Sequence, residues 1–289
     1  MKPAPFEYHC PATLDEAIAL LASVENAKVL AGGQSLMPML NMRFVICDHI
    51  IDLNALDELS YLTRDGDVLR IGAMTRQSDI LRSPLVRDCL PVLSEALRYT
   101  GHTQTRNRGT MAGSLCHLDP AAEQPTVALL CDAEIVAAGP GGKRVIPIAD
   151  FIVSYMTTQL APDEIVSEIR IPLWPKDHGS AFVEFARRHG DFAIASVGVM
   201  LSFDSGGKID RCAIAIGGVA SVPIRLRAAE ALLVGRPASE DSFEAAARAC
   251  ADIEALGDVH ASAGYRKKLA GTLLAQALRS ASQGHFSHA

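Results

Sequence analysis

Three short stretches gather residue types that ordinary core elements avoid. In "KVLAGGQSLMPML" an apolar strand runs into Gly32 and Gly33, then into Gln34 and Ser35 at the start of a helix. Glycines let a backbone approach a ligand closely, and free amides at a helix start favour an anion such as a phosphate. Gln34 and Ser35 add side-chain hydrogen bonds. A tight strand-to-helix connection with no ligand has the same look. The stretch is not GxGxxG, so it gives no direct support to a dinucleotide fold of the Rossmann kind.

The second stretch, "QTRNRGTMAGSLCHLDPAAEQP" from Gln104 to Pro125, repeats that chemistry. Gly109, Thr110, Ala112, Gly113 and Ser114 read as a glycine-rich loop presenting a row of amides, with two hydroxyls beside it. Arg106 and Arg108 are suited to neutralising phosphate or pairing with acids. His117, Asp119 and Glu123 suit sugar hydroxyls or a polar ring edge. A polar surface loop with solvated charges is the competing reading. Two amide-rich loops separated by half a domain favour a long ligand with a central diphosphate. In the third stretch, "ARRHGDFAIAS", Arg187 and Arg188 precede a Gly190–Asp191 turn, and Phe192 could cover a ring. Pattern alone favours a turn and a core phenylalanine there.

The elements around these stretches alternate in type. "TLDEAIALLASV" has helical spacing with Thr13 as N-cap and Glu16 three residues on. "HIIDLN" and "VLRIGAM" are strand-like, with "DGD" as a hairpin turn. The stretch from Ser78 to Thr100 is helical and interrupted by Pro84 and Pro91. A short helix, two strands about "GPGG" and the strand "EIVSEIRIP" follow, and "LWPKDHGS" has the composition of a linker. Beyond it come a meander of strands and a helical tail, an α+β layout.

Composition narrows the class. The chain has 289 residues, 49% hydrophobic and 21% charged, which fits a globular protein of two domains. A net charge of -6 and the lack of a dense basic run argue against a nucleic-acid binder. Nothing approaches the roughly 18 apolar residues of a membrane helix, and the N-terminus lacks a signal-peptide core. A cytoplasmic protein is expected. Seven cysteines are scattered without CxxC, and nine histidines show no HxxxH or HExxH, so no metal ligand is assigned.

"AGGQSLMPMLNMR", "RNRGTMAGSLCHLDPAAE" and "ARRHGDFAIA" together resemble, in order and spacing, the three signatures of the FAD-binding medium subunit of the molybdenum hydroxylases. That family includes carbon monoxide dehydrogenase, the xanthine dehydrogenase flavin domain and quinoline 2-oxidoreductase. The resemblance spans essentially the whole chain. It implies a two-lobed FAD-binding domain of the vanillyl-alcohol-oxidase (PCMH) type, followed by a small α+β C-terminal domain. The expected division is 1–176, with lobes of about 1–55 and 56–176, then 177–289.

The resemblance also implies ligands. It sets the FAD diphosphate against Ala31, Gly32, Gly33, Gln34, Ser35 and Leu36, and makes Thr110, Met111, Ala112, Gly113 and Ser114 the second FAD loop. Asp119 and Glu123 fall near the ribityl or adenosine part, Val166 near the adenine, and Phe192 where an aromatic guards the ring. No catalytic acid or base is assigned. The family's second loop usually reads T-x-Gly-Gly-Asn, so Ala112 and Ser114 are departures. Ala112 must accept negative φ or carry strain, and replacing it by glycine is expected to relax the loop. Glu184 stands near a position where some members carry lysine by the flavin. The cysteine-bearing insertion of the members acting on aromatic acyl-CoA is missing.

The implied function is electron transfer. A large partner holding a molybdenum pterin cofactor hydroxylates a small substrate, such as an N-heteroaromatic ring. A small partner relays electrons through two 2Fe–2S clusters, and FAD in this chain passes them to an external acceptor (NAD, oxygen or a quinone). The expected assembly is a dimer of heterotrimers. A free-standing flavin oxidase of the same fold is the alternative, with a base in its pocket or a covalent tether through Cys116 or His117. A non-enzymatic binding module is the third class.

Overall fold

The structure, a computed structural model, describes residues 1–286. The chain opens with a small lobe of three strands, β1 (Glu7–His9), β2 (Ala27–Leu30) and β3 (His49–Asp52), with helices α1 (Leu14–Ser23) and α2 (Leu36–Asn41) between them. All three strands run parallel, with β3 in the middle. A central parallel strand must be apolar on both faces. Ile51 accordingly packs with Leu14, Ile18 and Leu21 of α1, while Ile50 packs with Leu40 and Cys47 on the other side. Helix α1 starts where its cap predicts: Thr13 Oγ1 accepts from the Glu16 amide at 3.2 Å, and Glu16 reaches back to the Ala12 amide at 2.8 Å.

The second lobe is an antiparallel sheet in the order β4–β5–β10–β6–β7: β4 (Leu62–Asp65), β5 (Val68–Gly72), β6 (Glu134–Gly139), β7 (Gly142–Pro147) and β10 (Ile165–Pro172). Between β7 and β10 lie the short α9 (Ile148–Phe151) and the two-stranded ribbon of β8 (Ile152–Ser154) and β9 (Thr157–Thr158). Six helices join β5 to β6: α3 (Gln77–Arg82), α4 (Pro84–Cys89), α5 (Pro91–Tyr99), α6 (Thr103–Arg108), α7 (Met111–His117) and α8 (Glu123–Leu130). Pro84 and Pro91 open α4 and α5 rather than kink one helix, because a missing N–H costs nothing in a first turn.

The segment expected to be a glycine-rich loop is mostly helical. Only Gly109 and Thr110 separate α6 from α7, and the Thr110 hydroxyl caps α7 by accepting from the Gly113 amide at 3.0 Å. Met111 and Leu115 bury one face of α7, which stabilises a turn the glycines would otherwise weaken.

The C-terminal part is a four-stranded antiparallel sheet, β11 (Gly179–Phe185), β12 (Ala195–Phe203), β13 (Ile209–Gly217) and β14 (Ile224–Arg225), followed by α10 (Arg227–Leu233), α11 (Glu240–Arg248) and α12 (Ala263–Phe286). Both faces of this sheet are covered. Val197, Val199 and Leu201 face the helices that follow, whereas Met200, Ala213 and Ala215 join the core of the second lobe. That explains why β12 reads as an unbroken apolar run instead of an alternating one. The linker is pinned as well: Trp174 is buried, and the Arg211 guanidinium lies 4.0 Å over its ring.

Candidate functional site

The two glycine motifs come from different lobes and meet backbone to backbone. Gly33 has φ +70°, a conformation that side chains other than glycine rarely adopt. Gly32 is required for a different reason: a β-carbon there would stand 2.3 Å from the Arg108 carbonyl oxygen and 2.7 Å from the Gly109 α-carbon. Arg76 holds the junction. Its Nη1 donates to the Arg108 carbonyl and its Nη2 to Asn54 Oδ1, each at 2.6 Å. Asn54 in turn donates to the Ala31 carbonyl at 2.9 Å and to Asp52, which also accepts from the Tyr8 hydroxyl at 2.6 Å. Burial of the Arg76 guanidinium and the neighbouring Arg108 charge lower its pKa.

The two glycine motifs line a cleft of about 600 Å³, within the usual size of a cofactor site. Every residue expected to touch the cofactor lines this cleft except Met111 and Asp119. The Met111 side chain points into the core, because an apolar first-turn residue of α7 gains more by burial there. Asp119 accepts from the Ala121 amide at 2.9 Å and lines an adjoining cavity of about 480 Å³. Phe192 lies between the two cavities and is 62% exposed, so it is not the core phenylalanine its pattern favours. The turn before it is fixed by Gly190, whose φ is +88°.

Several expectations need correction. The row of amides is shorter than the glycine count suggests, since Gly113 N–H is spent on Thr110 Oγ1 and Ser114 N–H on the Thr110 carbonyl at 3.2 Å. Within α7 only the first amides, those of Met111 and Ala112, lack an intrahelical acceptor. Ala112 is helical and carries no positive φ, so it is unstrained. Neither Arg106 nor Arg108 lines the cleft. Arg106 instead donates to the Thr100 and Gly101 carbonyls at 2.8 and 3.1 Å, and Arg108 contributes its carbonyl to Arg76.

A buried polar chain forms part of the cleft wall, and residue spacing did not announce it. Gln77 Nε2 donates to Gln124 Oε1, Gln124 Nε2 to Thr100 Oγ1, both at 2.8 Å, and the Thr100 hydroxyl donates to Glu123 Oε2 at 2.9 Å. The chain joins α3, α5 and α8, elements separated in sequence, so spacing could not reveal it. Burial pushes the Glu123 carboxyl up to about 7, although the Thr100 hydroxyl opposes the shift. Glu184, on β11 opposite Ser196, is pushed up to about 9 by burial and then by the Glu123 charge. One Glu184 carboxyl oxygen is buried without a partner, and the residue does not line the cleft. Burial also lowers the pKa of His117, which does line it.

The chemistry of the donors fits an FAD. Ser35 makes no cap bond with its own helix, which leaves its hydroxyl free for a ligand, and Gln77 Oε1, on the cleft wall, is buried without a partner. Apolar side chains such as Val45, Leu53, Ile165 and Val166 complete the wall for rings.

Comparison with known proteins gives this site its family. A family model described as the FAD binding domain in molybdopterin dehydrogenase matches residues 4–174, and the CO dehydrogenase flavoprotein C-terminal domain matches 180–281. The chain therefore belongs to the flavoprotein subunits of the molybdopterin dehydrogenases, oxidoreductase subunits whose cofactor is FAD. It is 38% identical over 283 residues to the 6-hydroxypseudooxynicotine dehydrogenase complex subunit alpha of Paenarthrobacter nicotinovorans, covering 97% of this chain and 96% of that one. The solved carbon monoxide dehydrogenase of Hydrogenophaga pseudoflava superposes with a TM-score of 0.95 at 37% identity, over 98% of this chain and 99% of its own. Quinoline 2-oxidoreductase of Pseudomonas putida 86 superposes with a TM-score of 0.94 at 33% identity, over 99% of both chains. The fold expected from the resemblance, an FAD-binding domain followed by a C-terminal α+β domain, is the fold observed. Among the described residues no helix is long and apolar enough to cross a membrane.

Proposed function

We propose that this chain is the electron-transfer subunit of a cytoplasmic molybdenum hydroxylase, divided near residues 176 and 177 into its FAD-binding and C-terminal domains. Its FAD takes electrons from 2Fe–2S clusters of a small partner and delivers them to an external acceptor. A large molybdenum-pterin partner hydroxylates a small substrate, and the assembly is a dimer of heterotrimers. One observation carries this reading. Two glycine motifs from separate lobes line a single cleft and are tied together through Arg76 and Asn54, an arrangement suited to a cofactor with a central diphosphate. The relatives are named as chains of dehydrogenases and hydroxylases with several subunits, which supports the partners.

In this reading Ala31 to Leu36 and Thr110 to Ser114 hold the diphosphate and ribityl region, with Met111 acting through its backbone alone. Glu123 and Val166 flank the remainder, and Phe192 covers an edge of the ring. When bound, FAD supplies the exchange between one-electron and two-electron carriers. The residues of this chain bind it, orient it and shield it from water. No side chain on the cleft is assigned a covalent bond to FAD, so acid precipitation is expected to release all the yellow colour.

The test is purification of the native assembly with assay of FAD, iron and molybdenum together. The proposal expects all three to co-elute, and the flavin absorbance to bleach on adding substrate only when both partners are present. A yellow chain that elutes alone and bleaches alone with a small substrate would establish the free-standing oxidase instead.

A further inference from the structure

A second cluster of chemically capable side chains lies in the first lobe, outside the cofactor cleft. Strands β1 and β3 are parallel with Glu7 opposite His49. Side chains alternate along a strand, so Glu7, His9 and His49 project from one face of the sheet. Their polar atoms converge. His9 Nε2 lies 3.1 Å from His49 Nδ1, His49 Nδ1 lies 3.6 Å from Glu7 Oε2, and all three atoms lie within 4.8 Å of one another. None of the three residues lines the cleft.

We propose that Glu7, His9 and His49 form a binding site for one divalent transition-metal ion, of which zinc is the representative. Around a tetrahedral ion with bonds of about 2.0–2.1 Å, neighbouring donors sit roughly 3.3 Å apart. The two separations, 3.1 and 3.6 Å, bracket that value. The Glu7 side chain is 76% exposed, so its carboxylate is free to swing toward the His9 nitrogen and close the third edge. A hydrogen bond between the imidazoles and an ion pair between Glu7 and His49 would draw the same groups together, and the zinc titration separates that pair from a metal site.

Two imidazoles and one carboxylate suit zinc, nickel or copper rather than magnesium or calcium, which prefer oxygen cages. Among the described residues no fourth His, Cys, Asp or Glu joins the group, which leaves the fourth position to water. The consequence is mechanical. Strand β1 has three residues and, among the described residues, pairs with β3 alone; an ion held between them clips this edge strand to the sheet and stabilises the folded state by mass action.

The test uses the full chain with its FAD, freed of metals by a chelator and titrated with zinc chloride. Calorimetry should report one saturable site, and the melting temperature should rise with zinc and fall back on adding chelator. His49→Gln should weaken zinc binding at least tenfold and remove the thermal shift, with FAD content unchanged. His9→Gln, on the edge strand, should do the same and serves alone should His49→Gln not fold. His189→Ala, outside the cluster, should bind zinc as the parent does. Absence of binding at millimolar zinc, or equal affinity in the parent and the cluster variants, overturns the site.

Discussion

A β-carbon on Gly32 would stand 2.3 Å from the carbonyl oxygen of Arg108, so the two glycine motifs are in backbone contact between the first lobe and the second. No side chain fits between them. Gly32→Ala must therefore push the lobes apart at the place where the cleft is formed, at a cost of about 1–3 kcal/mol typical of overpacking. Gly33 differs, because its own β-carbon would meet only flexible side chains of Met37 and Leu30, at 3.1 and 3.2 Å. Its penalty comes from φ +70° and is roughly 1–2 kcal/mol for alanine. Valine at position 33 adds a branched β-carbon and should abolish FAD binding in a folded chain. Thermal melting and the FAD stoichiometry of purified variants check both; full FAD in Gly33→Val would make that turn purely structural.

Arg76 makes the second prediction. Its guanidinium fork spans Asn54 of one side and the Arg108 carbonyl of the other, each at 2.6 Å. Lysine is a point donor on a flexible stem and cannot serve both acceptors in fixed geometry. Hydrogen bonds to a charged group are worth about 1.5–3 kcal/mol. Arg76→Lys should therefore lose about that much stability and release FAD at least tenfold faster, read by the recovery of flavin fluorescence on dilution. An unchanged release rate would mean that the lobes are held elsewhere.

What the sequence disclosed and what it hid follow from the range of each interaction. The cap at Thr13, the breaks at Pro84 and Pro91 and the glycine turns act within a few residues, so their signals are local. The junction of Ala31, Asn54, Arg76 and Arg108 and the Gln77–Gln124–Thr100–Glu123 chain join elements far apart along the chain. Nothing in the spacing of these residues marks them. The loop reading of Gly109 to Ser114 failed for a related reason. Glycine count argues against a helix, but the Thr110 cap and the burial of Met111 and Leu115 outweigh it. Likewise His9 and His49 are 40 residues apart and meet only through strand register.

That failure reverses an expectation for Ala112. In a helix, glycine for alanine costs about 0.5–1 kcal/mol, so Ala112→Gly should lower the melting temperature and leave FAD binding equal or weaker, not tighter. Ser114→Ala removes a hydroxyl on the cleft wall, and a neutral hydrogen bond is worth ~0.5–1.5 kcal/mol, so affinity should fall by roughly threefold to tenfold. Gly113→Val should be far worse than either, since a β-carbon would lie 2.9 Å from the Thr110 hydroxyl and displace the cap. Flavin fluorescence during titration of the FAD-free chain ranks the three. Equal and small losses would remove this helix from the cofactor site.

Glu184 sets the dependence of stability on pH. Burial, and then the Glu123 charge, hold its pKa up at about 9 against an ordinary 4.5, and the Glu184 charge in turn raises the pKa of Tyr99 after that phenol's own burial. Between those two values the folded chain keeps a proton that the unfolded chain has released. Stability must then fall as pH rises through that window and level off above about 9. Glu123, pushed up to about 7, adds a loss of the same sign that is complete nearer neutrality. Glu184→Gln preserves the shape of the protonated acid without the charge. It should match the parent near pH 5, gain on it by about 1 kcal/mol or more per pH unit up to pH 8, and flatten the slope between them. Melting temperature across that range, measured on the FAD-loaded chain, reads the difference. Parallel curves for parent and variant would mean that Glu184 ionises at its ordinary pKa and that its unpartnered oxygen is solvated.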